Sequence, residues 1–223
     1  MIQVIIIYVI IYIGVDKMAT LYLVRHSEPF KNYRGIEDIN ETLLFSNIKS
    51  PLSVNGEHLA EKISSNSEFD NLDLVWSSNY VRAISTAKYF AYKNGLKVNI
   101  SDKLGERIQG IDSWDDLPSD FEEHQFNDEN YKLENGESQK EVRERISKFV
   151  DNLLKENKNK RILIVGHSTA IAFLLKNWCD VSYSGNYIFK GNIFFDGMWN
   201  YCETFKLEFN ENNDLISIKN LKI

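Results

Sequence analysis

Two apolar runs in this chain each lead directly into charged or titratable residues. Residues 21–24 (Leu-Tyr-Leu-Val) have strand character and continue without a break into Arg25 and His26. The pattern returns at residues 162–166 (Ile-Leu-Ile-Val-Gly), which precede His167. Such runs predict buried strands, and open α/β sheets bind ligands beyond the carboxyl ends of their strands. A single histidine there could simply cap its strand, but the repetition favours one crevice that holds both.

A third strand is predicted over residues 72–76, and it leads into a helix that begins with a basic side chain. Asn79 can cap this helix, and Gly95 supplies the left-handed conformation that ends it. Arg82 then lies in the first turn. A cation at a helix start opposes the helix dipole, whereas free amides together with an arginine suit a phosphate group. The alternative is an Arg82 side chain turned toward solvent.

The rest of the pattern alternates strands with helices, which predicts an open α/β sheet. The helix before the second histidine strand opens with a capping box of Ser138 and Glu141. The tail reads as an antiparallel hairpin joined by a turn, and it would make one edge of the sheet antiparallel. The further predicted elements are helices over residues 53–65, 138–157 and 169–178, a short strand over 97–100, and hairpin strands over 202–209 and 215–221.

Two connections are too long for ordinary loops. Residues 30–50 are mainly polar and predict a lid or a binding loop. Residues 108–135 carry scattered aromatic side chains among many acids, and we expect them to pack as an irregular insertion over the functional edge of the sheet. Substrate specificity is expected to reside in these two insertions. We expect residues 18–223 to form one domain.

The segment before this domain is almost wholly apolar. Residues 2–15 are shorter than the ~17 to 25 residues of a spanning helix, and they lack the basic start and the cleavage site of a secretory signal. We expect residues 1–17 to lie outside the fold, with Met18 as the natural start. A short membrane anchor and an added sheet-edge strand are the alternatives.

Composition and charge narrow the class of function. The chain has 223 residues, 43% of them hydrophobic, and a net charge of -6, which gives no overall field for nucleic acid or an anionic membrane. Any anion site must therefore be built locally from a few arginines. Cys179 and Cys202 have neither disulfide nor metal-ligand spacing, which favours reduced thiols in a cytoplasmic protein. No zinc motif, dinucleotide fingerprint or Walker loop is present, so neither a metal nor another cofactor is expected.

The strand-end and helix-start residues together match the needs of phosphoryl transfer. Arg25 and Arg82 can hold phosphoryl oxygens and neutralise their charge, while a neutral imidazole acts as nucleophile. A carboxylic acid must protonate the leaving oxygen. Glu106 is the preferred acid because it comes from the opposing insertion, whereas Glu28 lies in the same turn as His26.

Five short motifs in order resemble the histidine phosphatase superfamily, in its phosphoglycerate mutase-like branch, branch 1. The resemblance covers about residues 20–178. Its motifs are Leu-Val-Arg-His-Ser-Glu at 23–28, the run 77–87, Leu104-x-Glu106 with Gly110, Gly-Glu-Ser at 136–138, and Val-Gly-His-Ser at 165–168.

The resemblance implies a three-layer α/β/α fold with a mostly parallel central sheet. It also implies that His26 is the phosphorylated nucleophile, that Glu106 is the acid and then the base, and that Arg25, Arg82 and His167 form the phosphate pocket. Asn32 stands where the family often has a pocket asparagine. Ser168 and Arg107 are further candidates for substrate contact, Ser168 through its hydroxyl or a helix-start amide.

The first motif departs from the family pattern at two positions. Ser27 stands where glycine is usual, and Pro29 stands where a serine or threonine is common. Pro29 removes a hydroxyl and an amide from the pocket, so it affects the expectation for Asn32 and for substrate preference.

The leading hypothesis is a metal-independent phosphatase that hydrolyses small phosphomonoesters through a phosphohistidine. A cofactor-dependent phosphoglycerate mutase is the first alternative, although mutases of this kind usually have a larger insertion and a Gln-Ser pair where this chain has Glu28 and Pro29. A catalytically silent phosphate-binding module is the second. The expected partner is a small phosphorylated metabolite, with no nucleic acid and no membrane unless residues 1–17 are retained. The sequence does not indicate an oligomeric state.

Overall fold

The structure is a computed structural model that describes residues 19–30, 42–182 and 184–223. The apolar N-terminal run, Asn32 and most of the first predicted insertion lie outside these residues, so the predictions for them remain predictions. The strands are β1 (Ala19–Arg25), β2 (Leu74–Ser78), β3 (Val98–Ser101), β4 (Arg161–Gly166), β5 (Asp180–Val181), β6 (Tyr187–Phe189), β7 (Asn192–Phe195), β8 (Thr204–Phe209) and β9 (Leu215–Leu221). The helices are α1 (Leu43–Lys49), α2 (Val54–Ser64), α3 (Val81–Lys93), α4 (Phe121–Asn127), α5 (Gln139–Glu156) and α6 (Ser168–Leu175).

A six-stranded sheet in the order β3-β2-β4-β1-β8-β9 forms the centre of the fold. Strands β3, β2, β4 and β1 are parallel neighbours, whereas β8 and β9 pair antiparallel along one edge. The prediction of a mostly parallel sheet with one antiparallel edge is confirmed. A separate three-stranded sheet contains β5, β6 and β7.

Alternate residues of the central strands enter two different cores. Leu21, Leu23 and Ile164 pack with α5 and α6 on one face, while Tyr22 and Leu163 pack with α2 and α3 on the other. Each core residue named here is at most 3% exposed. Because side chains alternate between faces along a strand, an unbroken apolar run is what a sheet covered on both sides requires. The three-layer α/β/α prediction is confirmed.

The capped helices form where the sequence predicted them. Ser138 and Glu141 make the expected capping box at the start of α5, and Ser53 accepts a hydrogen bond from the Gly56 amide at the start of α2. Gly95 has φ 63° just beyond α3, as its predicted role requires.

Some predicted boundaries were wrong. Asn79 does not cap α3, because the amides of Ala83 and Ile84 bond to the Tyr80 carbonyl and make Tyr80 the cap residue. The helix α6 ends at Leu175, short of the predicted residue 178. The insertion at 108–135 is not wholly irregular, since it contains α4. Neither α1 nor the small sheet was predicted.

Candidate active site

The register of the central strands brings the two histidines together. Arg25 at the end of β1 is opposite Gly166 at the end of β4, and the His26 amide donates to the Gly166 carbonyl at 2.9 Å. The imidazole rings of His26 and His167 follow these residues, with centroids 5.2 Å apart. The two predicted strand-end histidines therefore share one site.

Hydrogen bonds to His26 define its tautomer. Its Nδ1 lies 2.7 Å from the carbonyl of Ser27, which can only accept, so Nδ1 carries the proton. Its Nε2 then has a free electron pair, and the Nε of Arg82 donates to it at 3.1 Å. Burial and the nearby charge of Arg82 lower the pKa of His26 to about 3, so the ring is neutral.

His167 is held by a second pair of hydrogen bonds. Its Nδ1 accepts from Nη2 of Arg82 at 3.3 Å, which leaves the proton on Nε2, 2.8 Å from the Ser78 hydroxyl. Burial, His26 and Arg82 all lower the pKa of His167. Like His26, it is therefore a neutral imidazole in this structure.

Arg82 connects the two imidazoles and the helix α1. It is the second residue of α3, 5% exposed, and its Nη1 donates to the Asn47 carbonyl in α1 at 2.5 Å. Nε, Nη2 and Nη1 of Arg82 thus each already donate a hydrogen bond, to His26, His167 and the Asn47 carbonyl. A phosphoryl group entering here would compete for these donors.

Arg25 is oriented by the segment before β8. Its Nη1 donates to the Trp199 carbonyl at 2.9 Å, and its guanidinium lies 4.9 Å from the centre of the Tyr201 ring. The Arg25 amide also bonds to the Glu203 carbonyl. The guanidinium is therefore fixed at the edge of the site by contacts from the C-terminal part of the chain.

The side chain of Glu106 enters the site from a different direction than Arg25, and its carboxylate lies against the start of α6. Its Oε1 accepts from the amides of Arg107 at 2.9 Å and Ala170 at 3.0 Å. Burial raises the pKa of this carboxyl above its usual value, although these amides and the charge of Arg82 act in the opposite direction. The competing acid, Glu28, does not line the cavity, and its Oε1 accepts from the Ser53 hydroxyl at 2.8 Å.

The two departures from the family motif lie in different environments. Ser27 is fully buried, and only its carbonyl contacts the imidazole. Its amide donates to Thr86 Oγ1 and its hydroxyl to the Gly56 carbonyl. Pro29 lines the cavity and pairs with Leu52 in an isolated bridge. Ser27 thus supports the turn after His26, and Pro29 forms part of the wall.

A cavity of about 590 Å³ opens above these groups. Arg25, His26, Arg82 and Glu106 form its floor, and Ser168 also lines it. His167 lies beneath, fully buried. The walls comprise Thr42, Leu43, Leu44, Asn47 and Ser50 around α1, residues 107–112, Trp114 and Asn135 from the second insertion, and Pro29 and Thr169.

Arg107, one of the predicted substrate contacts, has its guanidinium engaged elsewhere. Nη1 donates to the Gln125 side chain, Nε to the Glu137 carbonyl at 2.7 Å, and Nη2 to the Tyr131 carbonyl at 3.4 Å. The residue is 3% exposed. These bonds tie together distant parts of the second insertion, and the role in substrate contact stays a prediction.

Two glycines of the resembling motifs allow a close backbone approach. Gly110 has φ 78°, and a Cβ there would lie 2.3 Å from the Gly136 amide nitrogen. A Cβ on Gly136 would lie 2.6 Å from the Gln109 carbonyl oxygen. Both positions exclude a side chain, which explains why two separated motifs each carry a glycine.

Sequence reasoning missed several residues that support the site. Ser78 ends β2 beside the other strand ends, and this position in the sequence could have identified it as a site residue. Asn47 and Trp199 act through backbone carbonyls, so their side-chain identities carry no signal. Exposed His58 and surface His124, which bonds to Asp120, lie outside the cavity lining.

The described residues include neither a metal-binding cluster nor a membrane-spanning helix. No group of three or more His, Cys, Asp or Glu side chains in this part of the chain could hold a metal ion. Over the same residues, no helix is both long and apolar enough to cross a membrane. Cys179 and Cys202 are both buried free thiols.

The fold and this site define an α/β protein with a cavity in which two arginines lie beside a strand-end histidine pair. The chain belongs to the histidine phosphatase superfamily (branch 1), whose family model matches residues 21–193. It is 26% identical to phosphoserine phosphatase 1 of Hydrogenobacter thermophilus over 162 residues, which cover 68% of this chain and 72% of the relative. Family and relative support phosphatase activity.

Solved structures of phosphatases share the fold. A mycobacterial glucosyl-3-phosphoglycerate phosphatase matches with a TM-score of 0.63 at 17% identity, covering 91% of this chain and 97% of that one. A phosphoserine phosphatase from Entamoeba histolytica, solved with 3-phosphoglyceric acid, also gives 0.63, at 18% identity, covering 92% and 98%. These likenesses confirm the predicted phosphoglycerate mutase-like fold.

Proposed function

We propose that the chain hydrolyses small phosphomonoesters through a phosphohistidine formed on His26. The observation that carries the proposal is the neutral imidazole of His26, whose unprotonated Nε2 lies at the cavity floor 3.1 Å from an arginine donor. An imidazole with a free electron pair beside fixed cations is suited to attack a phosphorus atom.

In the first step, Nε2 of His26 forms a bond to phosphorus while the bond from phosphorus to the ester oxygen breaks. Glu106 in its acid form gives its proton to that oxygen, so a neutral alcohol leaves. The Nδ1 proton stays on the ring and donates to the Ser27 carbonyl, which supports the positive charge of the phosphorylated imidazole. The raised pKa of Glu106 favours the acid form that this step needs.

In the second step, the Glu106 carboxylate takes a proton from water, and the water oxygen bonds to phosphorus. The bond from phosphorus to Nε2 breaks, which returns its electron pair to His26 and releases inorganic phosphate. Arg25 and Arg82, with His167, are proposed to hold the phosphoryl oxygens in both steps. Because the arginines supply the positive charge, we propose that no metal ion is needed, and activity is expected to persist in EDTA.

Two observations favour hydrolysis over mutase chemistry and over a silent module. The relative and the two solved structures described above carry names of phosphatases. The proposed nucleophile, acid and cations line one cavity, which supports a catalytic role over a silent one.

The test is a phosphatase assay with p-nitrophenyl phosphate and a panel of phosphorylated metabolites at several pH values. His26→Ala is expected to lower turnover about a thousandfold or more, because the nucleophile is gone. The matched control is His58→Ala, which changes an exposed side chain on α2 and should behave as the parent. Equal turnover in His26→Ala would overturn the mechanism, and interconversion of 3-phosphoglycerate without phosphate release, primed by a bisphosphate, would establish the mutase instead.

A further inference from the structure

The upper wall of the cavity has a different character from its floor. The floor carries the two arginines and the proposed nucleophile and acid, whereas the wall presents large apolar side chains on two sides. Leu43 and Leu44 come from α1, while Ile108, Ile111 and Trp114 come from the second insertion. The alcohol part of a phosphomonoester would lie between these two elements.

Trp114 and Leu44 leave much apolar surface uncovered at this wall. Trp114 is 50% exposed and begins a short 3-10 turn capped by Ser113, and Leu44 is 38% exposed. Large apolar side chains exposed around a cavity favour a ligand that removes their surface from water. An aromatic ring on Trp114 gains additional stacking energy.

The charges at the wall disfavour binding of a substrate whose alcohol part is anionic. Of the described residues that line the cavity, the cations are Arg25 and Arg82 on the floor and Arg107 on the wall. The guanidinium of Arg107 is already bonded to the insertion. Asp112 is exposed and adds a negative charge to the wall. Among the described residues of the wall, a carboxylate carried by the alcohol would therefore find no unpaired cation, and it would lose water beside apolar side chains and the Asp112 carboxylate.

We propose that this wall is the binding site for the alcohol and that it selects an uncharged alcohol with an apolar, preferably aromatic, face over one that carries a carboxylate. The inference rests on the proposed function, since it concerns the leaving group of that reaction. It separates this chain's specificity from the carboxylated compounds named for its relatives.

The first arm of the test compares substrates with similar leaving groups. 2-Phenylethyl phosphate and ethyl phosphate both release a primary alcohol, so a difference in kcat/KM reports binding of the ring. We expect a preference for the phenylethyl ester of about tenfold or more. Phosphoserine should be poorer than phosphoethanolamine, which lacks only its carboxylate, and 3-phosphoglycerate poorer than glycerol 3-phosphate.

The second arm uses variants in the wall. Trp114→Ala and Leu44→Ala should each lower the ratio of kcat/KM for 2-phenylethyl phosphate over ethyl phosphate several-fold. Phe45→Ala is the matched control, because Phe45 is 55% exposed on the same α1 but does not line the cavity. That control should leave the ratio unchanged.

The outcomes separate the two proposals. Turnover that depends on His26 but prefers the carboxylated substrates, or a ratio that neither wall variant moves, would overturn the inference and leave the proposed function standing. Turnover that persists in His26→Ala would overturn the proposed function itself.

Discussion

At the residue scale, hydrogen bonds from fixed neighbours determine which nitrogen of each histidine carries the proton. The Ser27 carbonyl fixes the proton of His26 on Nδ1 and leaves Nε2 as the nitrogen that we propose to react. Arg82 acts in the same way on His167, whose remaining proton points at Ser78. The site thus obtains two neutral imidazoles with defined tautomers from neighbours that are themselves fixed.

Glu106→Gln tests the acid at this scale. The amide that replaces the carboxyl cannot give a proton, so esters of poor leaving groups should lose most activity. The first turnover isolates the acid step, because Glu106 acts as the base only afterwards. In that turnover we expect the rate of ethanol release from ethyl phosphate to fall about a hundredfold or more. The rate of nitrophenolate release from p-nitrophenyl phosphate should fall much less, because nitrophenolate leaves without a proton. Glu28→Gln is the matched control and should lower both rates equally or not at all. Equal losses for both esters in Glu106→Gln would contradict its role as the acid.

Residue type and position in the sequence pattern selected the proposed site residues that the structure brings together, while the groups that support them were hidden. His26, His167, Arg25 and Arg82 were found because each follows an apolar run or begins a helix. The contacts from Asn47, Trp199 and Ser27 use main-chain oxygens, which every residue has. No reading of residue types could have selected them.

At the element scale, strand register and helix approach set the geometry. Strands β1 and β4 were predictable because each is an apolar run buried on both faces of the sheet. The helix α1 has 7 residues and no buried side chain, and β5 has only 2 residues. Such short elements depend on tertiary contacts, so periodicity alone could not reveal them.

Gly56→Ala tests the packing of α2 beneath the turn that follows His26. A Cβ at this position would lie 2.1 Å from the Glu28 carbonyl oxygen, which also accepts from the Ser53 amide. Alanine favours helices, so propensity alone would stabilise the variant. We expect instead a loss of about 2 kcal/mol in the free energy of unfolding, measured in urea, because the turn must shift.

Activity should fall together with stability in Gly56→Ala, since the displaced turn carries the proposed nucleophile. Exposed Glu61 on the same helix provides the control, and Glu61→Ala should change the free energy of unfolding by no more than about 0.5 kcal/mol. A Gly56→Ala variant as stable as the parent would show that the close approach of α2 to the Glu28 carbonyl does not affect stability.

At the scale of the whole molecule, an acidic chain brings Arg25, Arg82 and Arg107 to the lining of one cavity. The net charge of -6 predicts that the chain has no general anion surface and that any anion site must be built locally. Composition could not predict that the segment around Trp199 and Tyr201, in the C-terminal part of the chain, orients Arg25. Contacts across 174 residues of sequence leave no trace in local patterns.

The buried histidines should make stability depend on pH. Their pKa values are lowered in the folded chain, so between about pH 6.5 and 4.5 the unfolded chain binds more protons and stability falls as pH falls. Each histidine contributes up to about 1.4 kcal/mol per pH unit, and the raised pKa of Glu106 offsets part of this. Carboxyls with lowered pKa values, such as Glu203, add losses at lower pH.

Urea unfolding at about pH 7, 6 and 5 measures this dependence. His167→Asn should flatten the slope, whereas His58→Asn on the surface should keep it. A parent protein whose stability stays constant or rises toward pH 5 would contradict the neutral, buried state of the two rings.

The most direct test of the central claim is to trap the intermediate on the nucleophile. Turnover of p-nitrophenyl phosphate is stopped in alkaline denaturant, which preserves phosphohistidine, and the protein is analysed by mass spectrometry. We predict that the chain gains one phosphoryl group, that fragment spectra place it on His26, and that His26→Ala gains none. A phosphoryl group on another residue, or turnover with none on the chain, would contradict the account.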